Sequence, residues 1–154
     1  MGKTQLTLDI ETALYKKEQS SRGIMGCFEV TIGWYGSERV DYLTMDFDGM
    51  FRCYEIKVTK ADFYSKAHAT FCGDFNYYVL PTELYEQVKH DIPAHVGVYV
   101  YEKPSLRWKY GLRCEKKAQR QGVNEEARNA LYQSLIRSLC RERDKFKRAM
   151  EEQT

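Results

Sequence analysis

The chain has 154 residues, of which 43% are hydrophobic and 30% charged, a composition typical of a globular domain and not of a disordered or membrane-embedded chain. Lys and Arg total 24 against 22 Asp and Glu, and the resulting net charge of +2 excludes a histone-like polycation. No apolar run reaches the ~20 residues of a transmembrane helix, and the amino-terminal residues lack the apolar core of a signal peptide. We therefore expect a single domain over residues 1–154 with no membrane partner.

The first half of the chain predicts one helix followed by three strands. Helical spacing of Leu6, Ile10 and Leu14 predicts a helix over 5–18, and apolar alternation predicts a strand over 27–34. Two further strands, 39–46 and 51–58, flank Asp48-Gly49, which is a strong hairpin signal. These three strands are expected to form a meander.

The second half alternates helices and strands before the pattern changes. The elements predicted there are a helix over 60–71, a strand over 76–80, a helix over 82–91, a strand over 95–102, and a long helix over 125–152. The strands NYYVL and VGVYVY are apolar throughout, which is typical of strands covered on both faces. The fold class is therefore α/β (α+β mixed), with a central mixed sheet flanked by helices in the order α-β-β-β-α-β-α-β.

Cysteine and histidine usage argues against several kinds of site. The five cysteines are odd in number, widely spaced and without a CxxC pair, which disfavours zinc or iron–sulfur sites and indicates a reduced, intracellular protein. These are Cys27, Cys53, Cys72, Cys114 and Cys140. The three histidines show no metal-ligand spacing, and no glycine-rich phosphate loop is present, so no nucleotide cofactor is expected.

Glu55 and Lys57 are the residues that most directly indicate chemistry. They are two apart on a predicted strand and therefore project from the same face. Asp41 lies one hairpin upstream, and carboxylates on neighbouring strands are ligands that Mg²⁺ or Mn²⁺ prefers. A two-residue hairpin loop would place Asp41 opposite Ile56 and away from Glu55. A three-residue loop would place Asp41 opposite Lys57, on the Glu55 face.

The segment from Asp41 through EIKVTKADF, which contains Glu55 and Lys57, resembles the PD-(D/E)XK nuclease superfamily. Within it, the block is similar to the MmcB-like DNA-repair group and related phage proteins, and the DFNYYVLP stretch continues the likeness. The likeness covers about 39–81, and the helix–strand order extends it over 5–101. It implies a restriction-endonuclease-like core over about 5–101, to which a basic segment and a C-terminal helix over 107–150 are added.

The resemblance also implies an activity: Mg²⁺- or Mn²⁺-dependent hydrolysis of DNA in repair, recombination or phage DNA metabolism, within a bacterial or phage-infected cell. Asp41 and Glu55 would bind the metal, and Lys57 would be the catalytic lysine. Many members add a glutamate from the first helix, for which Glu11 is the best candidate. Glu29, on the first strand, competes with it. The usual Pro before the Asp is Val40 here.

Basic residues interleaved with Trp108 and Tyr110 form a candidate DNA-contacting surface. The residues assigned to it are Lys60, Arg107, Lys109, Arg113, Lys116 and Lys117. Further basic residues lie on the C-terminal helix, whose leucine stripe is a core or homodimer contact. The alternative function is a non-catalytic DNA- or protein-binding module on the same fold, and a weaker third is a structural or inhibitor protein with an incidental ExK.

Overall fold

A six-stranded mixed sheet forms the centre of the protein in the computed structural model, which describes residues 2–36, 38–65 and 69–154. The elements in chain order are α1 (Gln5–Gln19), β1 (Met25–Thr31), β2 (Arg39–Met45), β3 (Phe51–Ile56), α2 (Lys60–Phe63), β4 (Phe75–Pro81), α3 (Thr82–Val88), β5 (Gly97–Tyr101), β6 (Leu112–Lys116) and α4 (Glu125–Glu152). A short 3₁₀ helix, Lys89–Asp91, follows α3. Within the described ranges, no helix combines the length and the apolar character needed to cross a membrane.

The strands lie in the sheet in the order in which they occur in the chain. β1, β2 and β3 form an antiparallel meander, β4 and β5 continue parallel to β3, and β6 pairs antiparallel with β5. Parallel pairing requires connections that cross a face of the sheet, and α2 and α3 lie in those connections. The predicted mixed sheet, the meander and the element order as far as β5 are confirmed.

Helices cover both faces of the sheet. On one face α1 begins at the Thr4 cap, whose hydroxyl accepts from the amide of Thr7, and buries one side against a layer of tyrosines. The residues of this layer and of the helix are Ile10, Ala13, Leu14, Tyr42, Tyr54, Tyr77 and Tyr101. On the other face, α4 buries Leu131 and Leu135 against β1–β3, and α3 packs on β4 and β5. The leucine stripe therefore serves the core at Leu131 and Leu135, whereas Leu139 is partly exposed.

Two predicted elements differ from the structure. The basic segment contains β6, whose residues LRCEK are half-buried or exposed, so this edge strand lacks the apolar alternation that predicts strands. The helix predicted over 60–71 ends at Phe63, and further along the chain Thr70 and Cys72 contact β3. Residues 66–68 of the predicted helix, including His68, lie outside the described residues.

The side chain of Asp74 fixes the start of β4 to both α4 and β3. It is fully buried, accepts two hydrogen bonds from the guanidinium of Arg128, and accepts a third from the amide of Phe51 at 2.8 Å. Burial alone would raise the pKa of Asp74, but these hydrogen bonds hold it below its ordinary value. Because Arg128 lies in the first turns of α4, this ion pair fixes the start of the helix against β3 and β4.

We predict that Arg128→Gln lowers the free energy of unfolding by about 3 kcal/mol, because it leaves the buried Asp74 carboxylate without its cation. Urea denaturation at neutral pH measures the effect. The matched control is Arg143→Gln on the same helix, whose pair with Asp144 is exposed and whose loss costs less than about 0.5 kcal/mol. Equal losses in the two variants would show that the Asp74–Arg128 pair does not anchor α4.

Candidate active site

The turn between β2 and β3 sets the position of Asp41 relative to Glu55. The last pair before the turn is Met45 opposite Phe51, and the register continues to Tyr42 opposite Tyr54. One residue further, Asp41 falls opposite Glu55, and not opposite Ile56 or Lys57 as the two predicted loops require. At the turn itself the amide of Asp46 donates to the carbonyl of Met50, and the Asp46 carboxylate accepts from the amides of Asp48 and Met50. The loop is therefore residues 47–49, one residue earlier than the predicted three-residue loop.

The backbone around Asp41 departs from regular strand pairing. The Asp41 carboxylate accepts from the amide of Ile56 at 2.8 Å, in place of a backbone carbonyl. On β1, the strand paired with β2, Glu29 has a φ of +56°, a left-handed conformation that is uncommon outside glycine. The carbonyls of Phe28 and Glu29 accept from the Arg141 guanidinium of α4. Irregularities of this kind occur frequently beside functional sites, where they re-aim a side chain.

Glu55 is 5% exposed and its carboxyl group is within hydrogen-bonding reach of the Asp41 carboxyl group. Burial, together with the neighbouring Asp41 charge and hydrogen bond, raises the pKa of Glu55 to about 8. The amide of Thr70 donates to Glu55 Oε1 at 3.4 Å. Glu55 therefore keeps its proton at neutral pH, beside the Asp41 carboxyl group. Among the described residues, backbone amides donate to one oxygen of each carboxyl group.

Lys57 follows on the same side of β3 and is 7% exposed. Its amide donates to the carbonyl of Val79, which extends the β3–β4 pairing beyond Ile56. The Nζ atom lies 3.8 Å from the Asp62 carboxylate, a long ion pair. Asp62 is fixed in turn by the Thr59 hydroxyl and the amide of Val58. Thr59 caps α2, and the contact of Asp62 with Lys57 depends on how the chain turns into this helix.

The structure holds Glu11 and Glu29, the two candidates for an additional carboxylate, away from Asp41 and Glu55. Lys3 Nζ pairs with both Glu11 and Glu29, and Arg39 lies 3.7 Å from Glu29. Both glutamates therefore belong to a charged cluster at the amino end of the chain. Within residues 2–36, 38–65 and 69–154, no three Asp, Glu, His or Cys side chains gather as a metal ion requires. The structure joins Asp41 to Glu55 and brings neither Glu11 nor Glu29 to them.

The predicted basic residues separate into two groups along the sheet. β3, β4 and β5 are parallel, so Glu55, Lys57 and the connection after β5 all lie at the carboxyl ends of these strands, which form one edge of the sheet. Exposed Arg107 and Lys109 belong to that connection, and Lys60 follows β3 at the same edge. Lys116 pairs opposite Val98 near the start of β5, and Lys117 follows it, so these two lie at the other end. Arg113, opposite Val100, stacks on Trp108 and pairs with Glu115.

A groove between α1 and the β5–β6 connection gathers further cations, but it lies on the α1 face of the sheet, whereas Glu55 projects to the other face because Tyr54 and Ile56 on either side of it pack toward α1. The volume of the groove is about 410 Å³, and Lys16, Lys103 and Lys109 line it together with Asp9. Lys16 lies on the helix and Lys103 just beyond β5, so only the fold brings them together. Their isolated positions in the sequence gave no signal comparable to the basic run after Arg107.

Comparisons with known proteins report on the fold alone. No protein-family model matches the chain, and no curated protein is significantly similar to it. Among solved structures, the chain is similar to the SPO1766 protein of unknown function from Silicibacter pomeroyi, with a TM-score of 0.69. The two share 17% sequence identity, and the match covers 88% of this chain and 87% of that chain.

We predict that Glu55→Gln removes a pH-dependent loss of stability. The folded protein keeps the Glu55 proton where the unfolded chain has lost it, so this stabilisation is complete below about pH 4.5 and is lost as the pH rises through about 8. In EDTA, wild-type protein should lose on the order of 1–2 kcal/mol more than Glu55→Gln between about pH 6 and about pH 8.5, measured by urea denaturation.

Glu18→Gln is the matched control, because burial raises the pKa of Glu18 to about 7 on the opposite face of the sheet. Glu18→Gln should remove a loss of stability that is complete near pH 7, about one pH unit lower than that of Glu55. It should keep the loss of stability that continues through about pH 8. Parallel profiles of the free energy of unfolding against pH for wild type and Glu55→Gln would contradict a Glu55 that keeps its proton at neutral pH.

Proposed function

We propose that the protein is a metal-dependent deoxyribonuclease of the PD-(D/E)XK type that hydrolyses DNA phosphodiester bonds. The observation that carries the proposal is the contact between the Asp41 and Glu55 carboxyl groups, with Lys57 two residues along the same strand. Two carboxylates and a buried lysine at one edge of a sheet suit phosphoryl transfer, which depends mainly on positioning and charge stabilisation. DNA repair, recombination or phage DNA metabolism is the proposed setting.

The arrangement of α1 to β4 supports a restriction-endonuclease-like core. A helix packs on an antiparallel meander, a second helix follows, and β4 returns parallel to β3. This is the order of elements that the sequence resemblance implies. The functional residues lie on β2 and β3, at the carboxyl end of β3, where the resemblance assigns the metal ligands and the lysine.

The donor set fits Mg²⁺ or Mn²⁺. Hard divalent cations bind through carboxylate oxygens and commonly use only one or two carboxylates, the other positions being taken by water and substrate phosphate. Among the described residues, backbone amides donate to one oxygen of each carboxyl group, so the second oxygens of Asp41 and Glu55 are the candidate ligands, and the Glu55 proton relieves the repulsion between the two groups. A bound divalent cation polarises a phosphoryl oxygen and makes a coordinated water more acidic.

Lys57 supplies a positive charge beside the reacting phosphate. Its ammonium group orients the attacking water and stabilises the charge that develops on the phosphate oxygens in the transition state. Asp62 lies 3.8 Å from the ammonium group and orients the side chain at the carboxyl end of β3. The near-complete burial of Lys57 limits its rotamers, so the group is positioned before substrate binds.

A second candidate function, DNA binding without cleavage, is favoured by one observation. Lys3 neutralises Glu11 and Glu29, so neither of these glutamates adds a third carboxylate to Asp41 and Glu55. A protein of this kind would still present Lys60, Arg107 and Lys109 to the phosphate backbone. Cleavage assays separate the two functions directly.

We predict that the wild-type protein nicks DNA in Mg²⁺ or Mn²⁺ and that Lys57→Ala reduces the rate by about 100-fold or more, because the variant lacks the charge-stabilising ammonium group. Single-stranded, duplex and branched DNA should all be assayed, with EDTA as the metal-free reference. Lys89→Ala is the control, since Lys89 is exposed and pairs with Glu86 on the surface. DNA binding without cleavage of any substrate would favour the binding module instead.

We predict that Arg107→Ala combined with Lys109→Ala weakens DNA binding, because these residues lie at the edge of the sheet that carries Lys57. Affinity measured by fluorescence anisotropy should fall, and the slope of log K against log salt should decrease by about one for each phosphate that the variant no longer neutralises. Lys116→Ala combined with Lys117→Ala removes the same charge from the other end of β6. An equal fall in affinity in both double variants would contradict this placement of the DNA.

A further inference from the structure

Cys53 and Cys72 have their sulfur atoms in contact, although 19 residues separate them in the chain. The Sγ–Sγ distance is 3.8 Å, and either thiol can donate to the other. Cys53 is fully buried on β3, whereas Cys72 is half-buried in the segment that leads to β4. Cys27, Cys114 and Cys140 are free as well, and no comparable thiol contact involves them within the described residues.

The backbone on either side of Cys72 is fixed against the sheet. On one side the amide of Thr70 donates to Glu55. On the other, Gly73 exchanges two hydrogen bonds with the Asn76 side chain, at 3.0 and 3.1 Å. A Cβ atom at Gly73 would lie 2.9 Å from the carbonyl oxygen of Phe51, so only glycine permits this approach. The thiol of Cys72 is therefore held over Cys53 before any bond forms.

We infer that Cys53 and Cys72 form an oxidation site at which a hydroperoxide converts the two thiols into a disulfide. Cys72, the more exposed thiol, attacks the peroxide and becomes a sulfenic acid while one water leaves. The Cys53 sulfur then attacks the Cys72 sulfur, the S–S bond forms, and the hydroxyl group leaves as a second water. Two thiols lose two electrons in total, and hydrogen peroxide is reduced to two molecules of water.

Bond formation draws the two sulfur atoms from 3.8 Å to a separation of about 2.05 Å. Because Cys53 belongs to the interior of the sheet, the movement falls on the segment that carries Thr70, Cys72 and Gly73. The crosslink joins this segment covalently to β3, two residues before Glu55. The oxidation state of the pair is thus transmitted to the Thr70 amide that contacts the Glu55 carboxyl group.

The test treats reduced, full-length protein with hydrogen peroxide, blocks the remaining thiols with N-ethylmaleimide under denaturing conditions, and maps peptides by mass spectrometry. The expected result is a Cys53–Cys72 linked peptide, loss of both alkylation sites and their recovery with dithiothreitol. Cys140→Ser is the matched control and should leave the yield unchanged, because Cys140 is half-buried on α4. Alkylation of both Cys53 and Cys72 after treatment, or oxidation of Cys72 to sulfinic acid without a linked peptide, would overturn the proposal.

Two further measurements test the inference, one on the Cys53→Ser variant and one on the wild-type protein. Cys53→Ser should leave Cys72 as a sulfenic acid that dimedone labels, whereas absence of the label would overturn the order of the two steps. In the wild-type protein, oxidation should slow amide hydrogen exchange over residues 69–74. Unchanged exchange in protein that contains the disulfide would overturn the transmission to Thr70. None of these readouts depends on nuclease activity.

Discussion

The contact between the Asp41 and Glu55 carboxyl groups is the constraint on which the candidate active site depends. Two carboxylates held within hydrogen-bonding reach at the edge of a sheet cannot both ionise freely at low local dielectric. Burial adds to this effect at Glu55, and the pKa of its carboxyl group rises to about 8. The sheet therefore keeps an unfavourable arrangement that either a proton or a divalent cation relieves.

Several local features maintain that arrangement. Asp46 closes the β2–β3 turn through its backbone and its carboxylate, and so sets the register that aligns Asp41 with Glu55. The amide of Ile56 fixes Asp41, and Arg141 from α4 binds the carbonyls next to the left-handed Glu29. Some of these features are locally unfavourable, and they hold the carboxyl groups in position. This is expected where a site requires preorganised groups. The α4 helix, itself anchored through Arg128, thus contributes to the site although none of its residues enters it.

Much of the architecture was predictable from the sequence because periodicity reports burial directly. The meander, the helices on both faces and the apolar strands β4 and β5 all leave patterns of period two or 3.6. The edge strand β6 leaves none, since its side chains are largely solvated. The β2–β3 register was not predictable either, because Asp48-Gly49 signals a tight turn and the competing role of Asp46 depends on two backbone amides.

The site was predictable in part. The proximity of Asp41 and Lys57 to Glu55 was predictable, because strand spacing indicates which residues share a face. The choice between Glu11 and Glu29 could not be made from the sequence, since it depends on Lys3, a residue close to the amino terminus that pairs with both. The contacts of Asp62 with Lys57 and of Thr70 with Glu55 depend on loop paths that no periodicity encodes.

The most direct test of the account is a crystal structure of the protein soaked in Mn²⁺ at about pH 8, with anomalous diffraction used to locate the metal. We expect an anomalous peak in contact with carboxylate oxygens of both Asp41 and Glu55. Crystals of Asp41→Asn should lack this peak. A peak at the Lys3, Glu11 and Glu29 cluster, or no peak between Asp41 and Glu55, would contradict the claim that this pair forms the metal site.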